Sequence, residues 1–273
     1  MAHLLKQIIT KNKIIGAAAI IATSTYLYDE INQYNNDNNN NNHIRPAYCS
    51  GETKGNAMTK QTKPILSIPS IQSLYFEFHT PTELLENLAT EMTSEMQKGL
   101  QKDNCDIKML PSFVCDLPTG NENGKFLALD LGGSNFRVLR FKVENGDVTL
   151  EASKKAKIPK QLMSKSSTGV DMFQFIADTV AQLPSDGEDH SQKLPLGFTF
   201  SFPCQQYKLN AGTLLHWTKG FETSGVVGAN VVTLLQNAFV ANNINVEVAA
   251  LVNDTVGTLV AHVIEAPDTV LGM

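Results

Sequence analysis

The 273-residue chain has few of the features that mark several functional classes. Its 22 lysines and arginines stand against 27 aspartates and glutamates, and the resulting net charge of −5 argues against nucleic acid as a partner. It has four cysteines, with no Cys-x-x-Cys spacing and no histidine at ligand spacing. Neither a zinc site nor a disulfide framework is therefore expected, and free thiols in a reducing compartment are predicted.

The chain also has no long hydrophobic run. The uncharged stretch from Ile14 to Tyr28 would span only about 22 Å as a helix, against a hydrocarbon core of about 30 Å. Lysines precede this stretch at positions 6, 11 and 13. A surface-lying helix, a secretory signal peptide and a membrane anchor all remain open. A mitochondrial matrix transit peptide fits poorly, because the first arginine is Arg45.

Little apolar sequence follows until about residue 70. Gln33–Asn42 is an asparagine tract, and the residues after it are polar and rich in glycine, lysine, threonine and proline. A segment of this composition cannot bury enough apolar area to offset the cost of ordering, so residues 31–70 are predicted to be a disordered linker. A prion-like role for the tract is the alternative.

Regular structure is predicted from Leu74 onward. Thr80–Glu83 has the pattern of a capping box with Pro81 at the first helical position, and apolar residues then recur at helical spacing to Gly99. Further along, the patterns predict strands at 126–131, 136–143, after the 144–147 turn, 196–202 and 246–252, and helices at 170–183, 230–242 and from 255. This βββαβαβα order indicates an α/β domain.

The strand at 196–202 is the most informative segment. Leu196 and every second residue to Phe202 are apolar, which predicts one buried face, with Gly197, Thr199 and Ser201 on the other. Pro203 ends the strand and leaves the Ser201 hydroxyl at its end, where open α/β sheets bind small ligands.

The loop that follows this strand adds donor groups. His216–Phe221 contains the only tryptophan, Trp217, followed by Thr218 and Lys219. These side chains suit a small hydroxylated ligand. Trp217 itself is predicted to pack in the loop rather than to stack on a ligand.

A glycine turn joins the first two predicted strands. Asp130–Asn135 lies between strands, which excludes both a dinucleotide-binding fingerprint and a P-loop. A plain hairpin with glycines at positive φ is one interpretation. The other is a phosphate cradle, because paired glycines let phosphate oxygens approach backbone N–H groups. Arg137 is either a phosphate contact or a surface arginine.

Asn253-Asp254 ends a buried strand and opens a helix. One of the two is predicted to be the N-cap, and Asp254 is also a candidate general base. The two roles are compatible, because a residue at a helix start is held rigidly.

Three ordered segments, Leu129–Val138, Leu196–Pro203 with His216–Phe221, and Leu251–Gly257, resemble the hexokinases, including glucokinases. The resemblance runs from about Leu74 to the end of the chain. It implies the fold of the actin-like ATPase superfamily: a ribonuclease H-like α/β small domain, with incomplete pieces of a large domain.

The resemblance implies ATP and Mg²⁺ as cofactors and glucose or a related hexose as the substrate. Asp254 and Lys219 are the implied catalytic residues. The implied sugar contacts are Ser201, Phe202, Pro203, Thr218, Lys219, Asn253 and Asp254. The implied nucleotide contacts are Asp130, Gly132, Gly133, Ser134, Asn135 and Arg137, with Asp130 near Mg²⁺ through water. Ser134 stands where the family usually has threonine and keeps the hydroxyl.

The expected domain organisation has five parts. They are an anchor at 1–30, the linker at 31–70, a large-domain helix at 71–110, the small domain at 111–245 and the start of the large domain at 246–273. Further family motifs are expected beyond Met273, so the 273-residue chain alone is expected to be inactive.

The resemblance also bears on location and on rival functions. It implies a cytoplasmic protein, with residues 1–30 similar to a tether to the mitochondrial outer membrane. Asn253–Thr255 is formally a glycosylation sequon, and a glycan beside a catalytic base argues against secretion. A catalytically silent sugar sensor and a non-sugar actin-like ATPase are the alternatives. Asp254 and Lys219 argue against the first, and the 201–203 and 217–221 segments against the second.

Overall fold

The computed structural model describes residues 78–101, 105–115, 122–133, 135–144, 147–184, 193–263, 266 and 268–272. The described residues up to Met109 belong to one compact unit, and those from Leu110 onward to another. The expected anchor at 1–30 and linker at 31–70 lie outside the described residues. Among the residues that are described, no helix is both long and apolar enough to cross a membrane.

The first unit contains helix α1, Thr82–Leu100. The predicted capping box is wrong: Pro81 is the N-cap, and no side chain caps the helix. The Pro81 carbonyl accepts the first helical bonds, from Leu84 N at 3.0 Å and Leu85 N at 3.2 Å. Thr80 is therefore one residue too early to cap. The predicted apolar stripe exists but stays exposed: Leu85, Leu88 and Met92 are 50%, 61% and 54% accessible.

The second unit is built on a five-stranded mixed sheet. Strands β1 to β3 form an antiparallel meander, and β4 and β7 add to β1 in parallel. The strand order across the sheet is β3-β2-β1-β4-β7. The bounds are β1 Gly124–Leu131, β2 Asn135–Glu144, β3 Asp147–Lys157, β4 Leu194–Phe200 and β7 Val246–Val252.

Three helices and a small hairpin complete this unit. The helices are α2 Gly169–Val180, α3 Val231–Ala241 and α4 Asp254–Val263, and the hairpin is β5 Cys204–Lys208 with β6 Ala211–Leu214. The predicted order of strands and helices is confirmed, apart from this hairpin, which was expected to be loop. Its first strand, Cys-Gln-Gln-Tyr-Lys, has no apolar alternation from which a strand could be predicted.

The sheet is continuous across the expected domain boundary at 245/246. Strand β7 pairs with β4 from Leu194↔Val246 to Thr199↔Val252. Residues on both sides of that boundary therefore belong to one sheet, and the chain does not divide there. Sequence patterns show where a strand begins, but they do not show which sheet it joins.

The main core lies between one face of the sheet and helices α2 and α3. Leu196, Phe198 and Phe200 of β4 project into it and are fully buried. The other face of β4 is also covered, since Thr199 is 7% and Ser201 8% exposed. The expectation of only one buried face is therefore wrong, and β4 is covered on both faces, as is usual in the parallel part of a sheet.

Candidate functional site

Three parallel strands end at the same edge of the sheet. Leu131 of β1 is level with Phe200 of β4, and Thr199 is level with Val252 of β7. The Ser201 amide donates to the Leu131 carbonyl at 3.1 Å. Gly132, Ser201 and Asn253 therefore follow the ends of adjacent strands, as expected of a binding edge in an α/β sheet.

A row of polar side chains crosses the sheet next to this edge. Asp130 pairs with Arg137 on one side and with Thr199 on the other, and Arg137 pairs with Lys155 of β3. Paired residues project from the same face, so the row extends over four strands, roughly 15 Å at the usual strand spacing. Arg137 is only 8% exposed, so its interpretation as a surface arginine is wrong.

Sequence reasoning assigned no role to Thr199 or Lys155. Thr199 shares the face of Ser201 by simple alternation, and that signal was visible in the sequence. Lys155 joins the row only through the β2–β3 register, which the sequence does not reveal. Both belong to the candidate site because they lie beside Asp130 and Arg137, and Lys155 adds a solvent-exposed cation.

The glycine turn between β1 and β2 is open. Neither Gly132 nor Gly133 has a positive φ, so the interpretation of these two glycines as a left-handed hairpin turn is wrong. A Cβ at Gly133 would meet nothing within 4 Å, and one at Gly132 would meet only Ser201 Oγ, at 4.0 Å. The missing side chains thus leave the backbone accessible to a ligand. Asn135 begins β2 and is exposed, whereas Ser134 lies outside the described residues.

An aromatic cluster fixes the loop after β6 to the end of β4. The Phe202 ring lies 4.9 Å from Trp217 and 5.1 Å from Phe221, and Trp217 and Phe221 stack at 5.1 Å. The packing role predicted for Trp217 is confirmed. Pro203 is half-buried at the start of this turn. Thr218 and Lys219 lie between the two stacked rings in sequence, so the cluster fixes their turn against Phe202, the residue that follows Ser201.

Lys219 has a strained backbone. Its φ is 56°, in the left-handed region that costs a non-glycine residue roughly 1–2 kcal/mol. Its Nζ atom lies 5.5 Å from the centroid of the Phe202 ring, within cation–π range. The side chain is exposed while Thr218 is half-buried, so the ammonium group is available to a ligand at the strand edge.

At the start of α4, Asn253 caps the helix and its neighbour Asp254 carries an exposed carboxylate. The Asn253 side-chain oxygen accepts from Thr255 N at 3.1 Å and from Thr255 Oγ1 at 2.7 Å, which confirms that Asn253 caps the helix. Asp254 lies exposed in the first turn, and its Oδ1 accepts from Thr255 N at 3.0 Å. A carboxylate is thus presented to solvent at the positive end of a helix.

Cys204, next to Pro203, is not a candidate nucleophile. Burial raises the pKa of its thiol to about 12. It therefore stays protonated at neutral pH, and the thiolate is the reactive form.

The comparisons with known proteins identify the family of this chain. The family model described as hexokinase matches residues 70–264. The chain belongs to the hexokinase family. It is 41% identical over 215 residues to a hexokinase of Brugia malayi and 41% identical over 232 residues to human hexokinase-1.

The same comparisons show how much of each relative is matched. The aligned part covers 78% of this chain and 36% of the Brugia protein, and 82% of this chain and 25% of the human protein. The solved structure of a Schistosoma mansoni hexokinase complexed with glucose gives a TM-score of 0.64 at 40% identity, covering 72% of this chain and 46% of that one. The hexokinase-family chain thus spans less than half the length of these relatives.

Proposed function

We propose that the protein containing this chain transfers the γ-phosphoryl group of ATP to the 6-hydroxyl of a hexose, with glucose as the first candidate. The observation that carries the proposal is that Ser201 and Asp254 follow the ends of parallel strands at the edge that also carries the open glycine turn. Lys219 adds a cation, since its Nζ lies 5.5 Å from the ring of Phe202, the residue after Ser201. The glucose complex of the Schistosoma relative supports a hexose.

The residues present fit a nucleotide phosphate group. Gly132 and Gly133 expose backbone N–H groups that a side chain would otherwise cover, and such amides bind anions. Arg137 and Lys155 add two cations to the same sheet face, and Arg is well suited to phosphate oxygens. This row supports the glycine turn as the phosphate side of the site.

Asp130, in the polar row beside the glycine turn, is the carboxylate proposed for a metal ion. Among the described residues, no three histidine, cysteine, aspartate or glutamate side chains are grouped as a metal site. Mg²⁺ does not need such a cage, because it is commonly held by one or two carboxylates together with waters and substrate phosphates. Asp130 is suited to this role through water. Bound MgATP would supply a γ-phosphoryl group whose charge is partly neutralised.

The side chains that follow the ends of β4, β6 and β7 are proposed to act on the sugar. Asp254 is proposed to accept the proton of the attacking hydroxyl, since a positioned carboxylate makes a weak nucleophile effective. Ser201, Thr218 and Asn253 donate or accept hydrogen bonds, and Lys219 supplies a charged donor. The half-buried Pro203 is proposed as an apolar contact for the sugar ring, and Phe202, only 2% exposed, supports it from the aromatic cluster.

The test is the phosphorylation of glucose by the whole protein that contains this chain. Asp254→Ala is expected to lower kcat on the order of 10²–10⁴-fold while KM for glucose changes little, because the lost group acts mainly in the transition state. Glu247→Ala is the matched control: it removes an exposed carboxylate from the far end of the same strand, β7, and is expected to leave kcat unchanged. Near-normal turnover of Asp254→Ala would contradict the proposal.

A further inference from the structure

Thr223 connects three parts of the second unit. It is 2% exposed, two residues beyond Phe221. Its Oγ1 donates to the Leu162 carbonyl at 2.7 Å and lies 3.9 Å from Met172 Sδ of α2. Its carbonyl accepts from Trp217 Nε1 at 2.8 Å. One buried residue thus joins the turn before α2 to the aromatic ring that precedes Thr218 and Lys219.

Hydrogen bonds continue on both sides of Thr223 and form a seam between residues 222–224 and the 162–169 turn. The Glu222 amide donates to the Met163 carbonyl at 2.7 Å, and the Ser224 amide donates to the Ser167 carbonyl at 2.9 Å. The Gly169 amide donates back to the Ser224 carbonyl at 2.8 Å, and Ser224 Oγ also donates to Ser167, at 2.8 Å. The segment after Phe221 is therefore fixed to the 162–169 turn along its whole length.

The seam matters for the candidate site because the backbone of Lys219 is strained and must be held in place. A lysine in the left-handed region keeps that conformation only when the surrounding structure holds it there. The Trp217 indole holds one side of the turn through its bond to the Thr223 carbonyl. On the other side of the turn, Phe221 is followed two residues later by Thr223, whose hydroxyl donates a hydrogen bond to the Leu162 carbonyl.

We infer that Thr223 is a positioning residue, which holds Thr218 and Lys219 in place through the Leu162–Thr223–Trp217 connection and does not itself contact the ligand. The sugar part of this inference rests on the proposed function. The connection itself rests only on the hydrogen bonds described above.

The chain carries its own reporter for a test, because Trp217 is its only tryptophan. Thr223→Val removes the hydroxyl and keeps the side-chain shape, and Thr223→Ser keeps the hydroxyl. Ser224→Ala removes a different hydroxyl of the same seam, one that is bonded to Ser167 and not to Leu162. Trp217 emission and its quenching by acrylamide are measured without sugar in the 273-residue chain, and glucose is then titrated.

Thr223→Val is expected to shift Trp217 emission to longer wavelength, to raise acrylamide quenching, and to weaken glucose binding by roughly two- to tenfold, the change that one lost hydrogen bond gives. Thr223→Ser and Ser224→Ala are expected to keep the emission, quenching and glucose affinity of the parent. Unchanged Trp217 emission and quenching in a folded Thr223→Val would overturn the inference. So would an equal change in Ser224→Ala.

Two further outcomes separate the inference from the proposed function. If glucose leaves Trp217 fluorescence unaffected in the parent chain and in every variant, the proposed sugar site is wrong. The comparison of acrylamide quenching between the variants still tests the Leu162–Thr223–Trp217 connection. If circular dichroism shows that Thr223→Val does not fold, Thr223→Ala takes its place under the same criteria.

Discussion

At the residue scale, the site separates side chains that complete the fold from side chains that remain available. Asn253 uses its oxygen to cap α4, and Phe202 is buried against Trp217. Lys219 and Asp254, in contrast, are exposed at the edge that these contacts organise. Buried neighbours fix the backbone, so the two charged groups are held in position without being covered.

The glycine turn offers a test of this separation. Gly133→Ala is expected to change the free energy of unfolding by less than about 0.5 kcal/mol, because its φ is ordinary and a Cβ there meets nothing within 4 Å. It is expected to weaken MgATP binding, because the methyl group occupies the side from which phosphate approaches. Chemical denaturation and nucleotide titration measure the two effects.

Gly212→Ala is the matched control. A Cβ there would lie 2.7 Å from Leu251 Cδ2, so this change is expected to destabilise the fold by roughly 1–3 kcal/mol through overpacking. A Gly133→Ala variant that binds MgATP like the parent would remove the glycine turn from the phosphate site.

At the element scale, the predictable elements are those with a strong apolar period. Strand β4 was predictable from alternation and α3 from helical spacing, since burial of one face imposes each pattern. The β5–β6 hairpin was not predictable, because its short polar strands carry no such pattern. The side chains that end β1, β4 and β7 were predictable from their motifs. Lys155 joined the site through the β2–β3 register, which is long-range information, whereas Thr199 was predictable from its alternation with Ser201.

Helix α2 has a charged cap whose contribution depends on pH. Thr168 Oγ1 accepts from the Asp171 amide at 3.2 Å, and the Asp171 carboxylate accepts from the Thr168 amide at 2.9 Å. The hydrogen bonds from the Thr168 side chain and amide lower the pKa of Asp171 below its ordinary value of 3.8. Ionised Asp171 therefore stabilises the folded chain above that pH, and its contribution is lost as the pH falls through the folded-state pKa.

The lowered pKa of Asp171 determines the expected result. Asp171→Asn is expected to lower the free energy of unfolding at pH 7, and its difference from the parent is expected to shrink below about pH 4. Asn230→Ala removes the uncharged cap of α3, where Asn230 Oδ1 accepts from Val232 N at 3.0 Å, and is expected to cost about 1 kcal/mol at both pH values. Urea denaturation at pH 7 and pH 3.5 distinguishes the two caps. A pH-independent effect of Asp171→Asn would show that the carboxylate charge contributes nothing.

At the scale of the whole molecule, the N-terminal sequence bears on location. We propose that Met1–Glu30 tethers the chain to the mitochondrial outer membrane with the remaining residues in the cytoplasm. Lysines at 6, 11 and 13 are attracted to an anionic surface, and Ile14–Tyr28 supplies apolar side chains for the interface. A fluorescent reporter fused to Met1–Glu30 is expected on mitochondria. The same fusion with the three lysines replaced by glutamate is expected in the cytosol. A secreted or uniformly cytosolic parent fusion would contradict the tether.

Exposure of the site also predicts what the 273-residue chain can do alone. The proposed base Asp254 and the cation Lys219 are both exposed at one sheet edge, where water competes for every hydrogen bond. Phosphoryl transfer to a sugar rather than to water requires that both substrates be enclosed and aligned, an effect worth roughly 7–11 kcal/mol of the barrier when it is complete.

The purified 273-residue chain is therefore expected to form no measurable glucose 6-phosphate and to bind glucose at millimolar concentration or more weakly, because each exposed hydrogen bond contributes only about 0.5–1.5 kcal/mol. A coupled assay for glucose 6-phosphate measures turnover, and Trp217 fluorescence measures binding. Ser201→Ala is expected to abolish the weak glucose response. Asp254→Ala, which removes a group that acts mainly in the transition state, and Glu247→Ala, at the far end of β7, are expected to keep it. Turnover by this chain at the rate of an intact hexokinase would show that the exposed edge is already a complete active site.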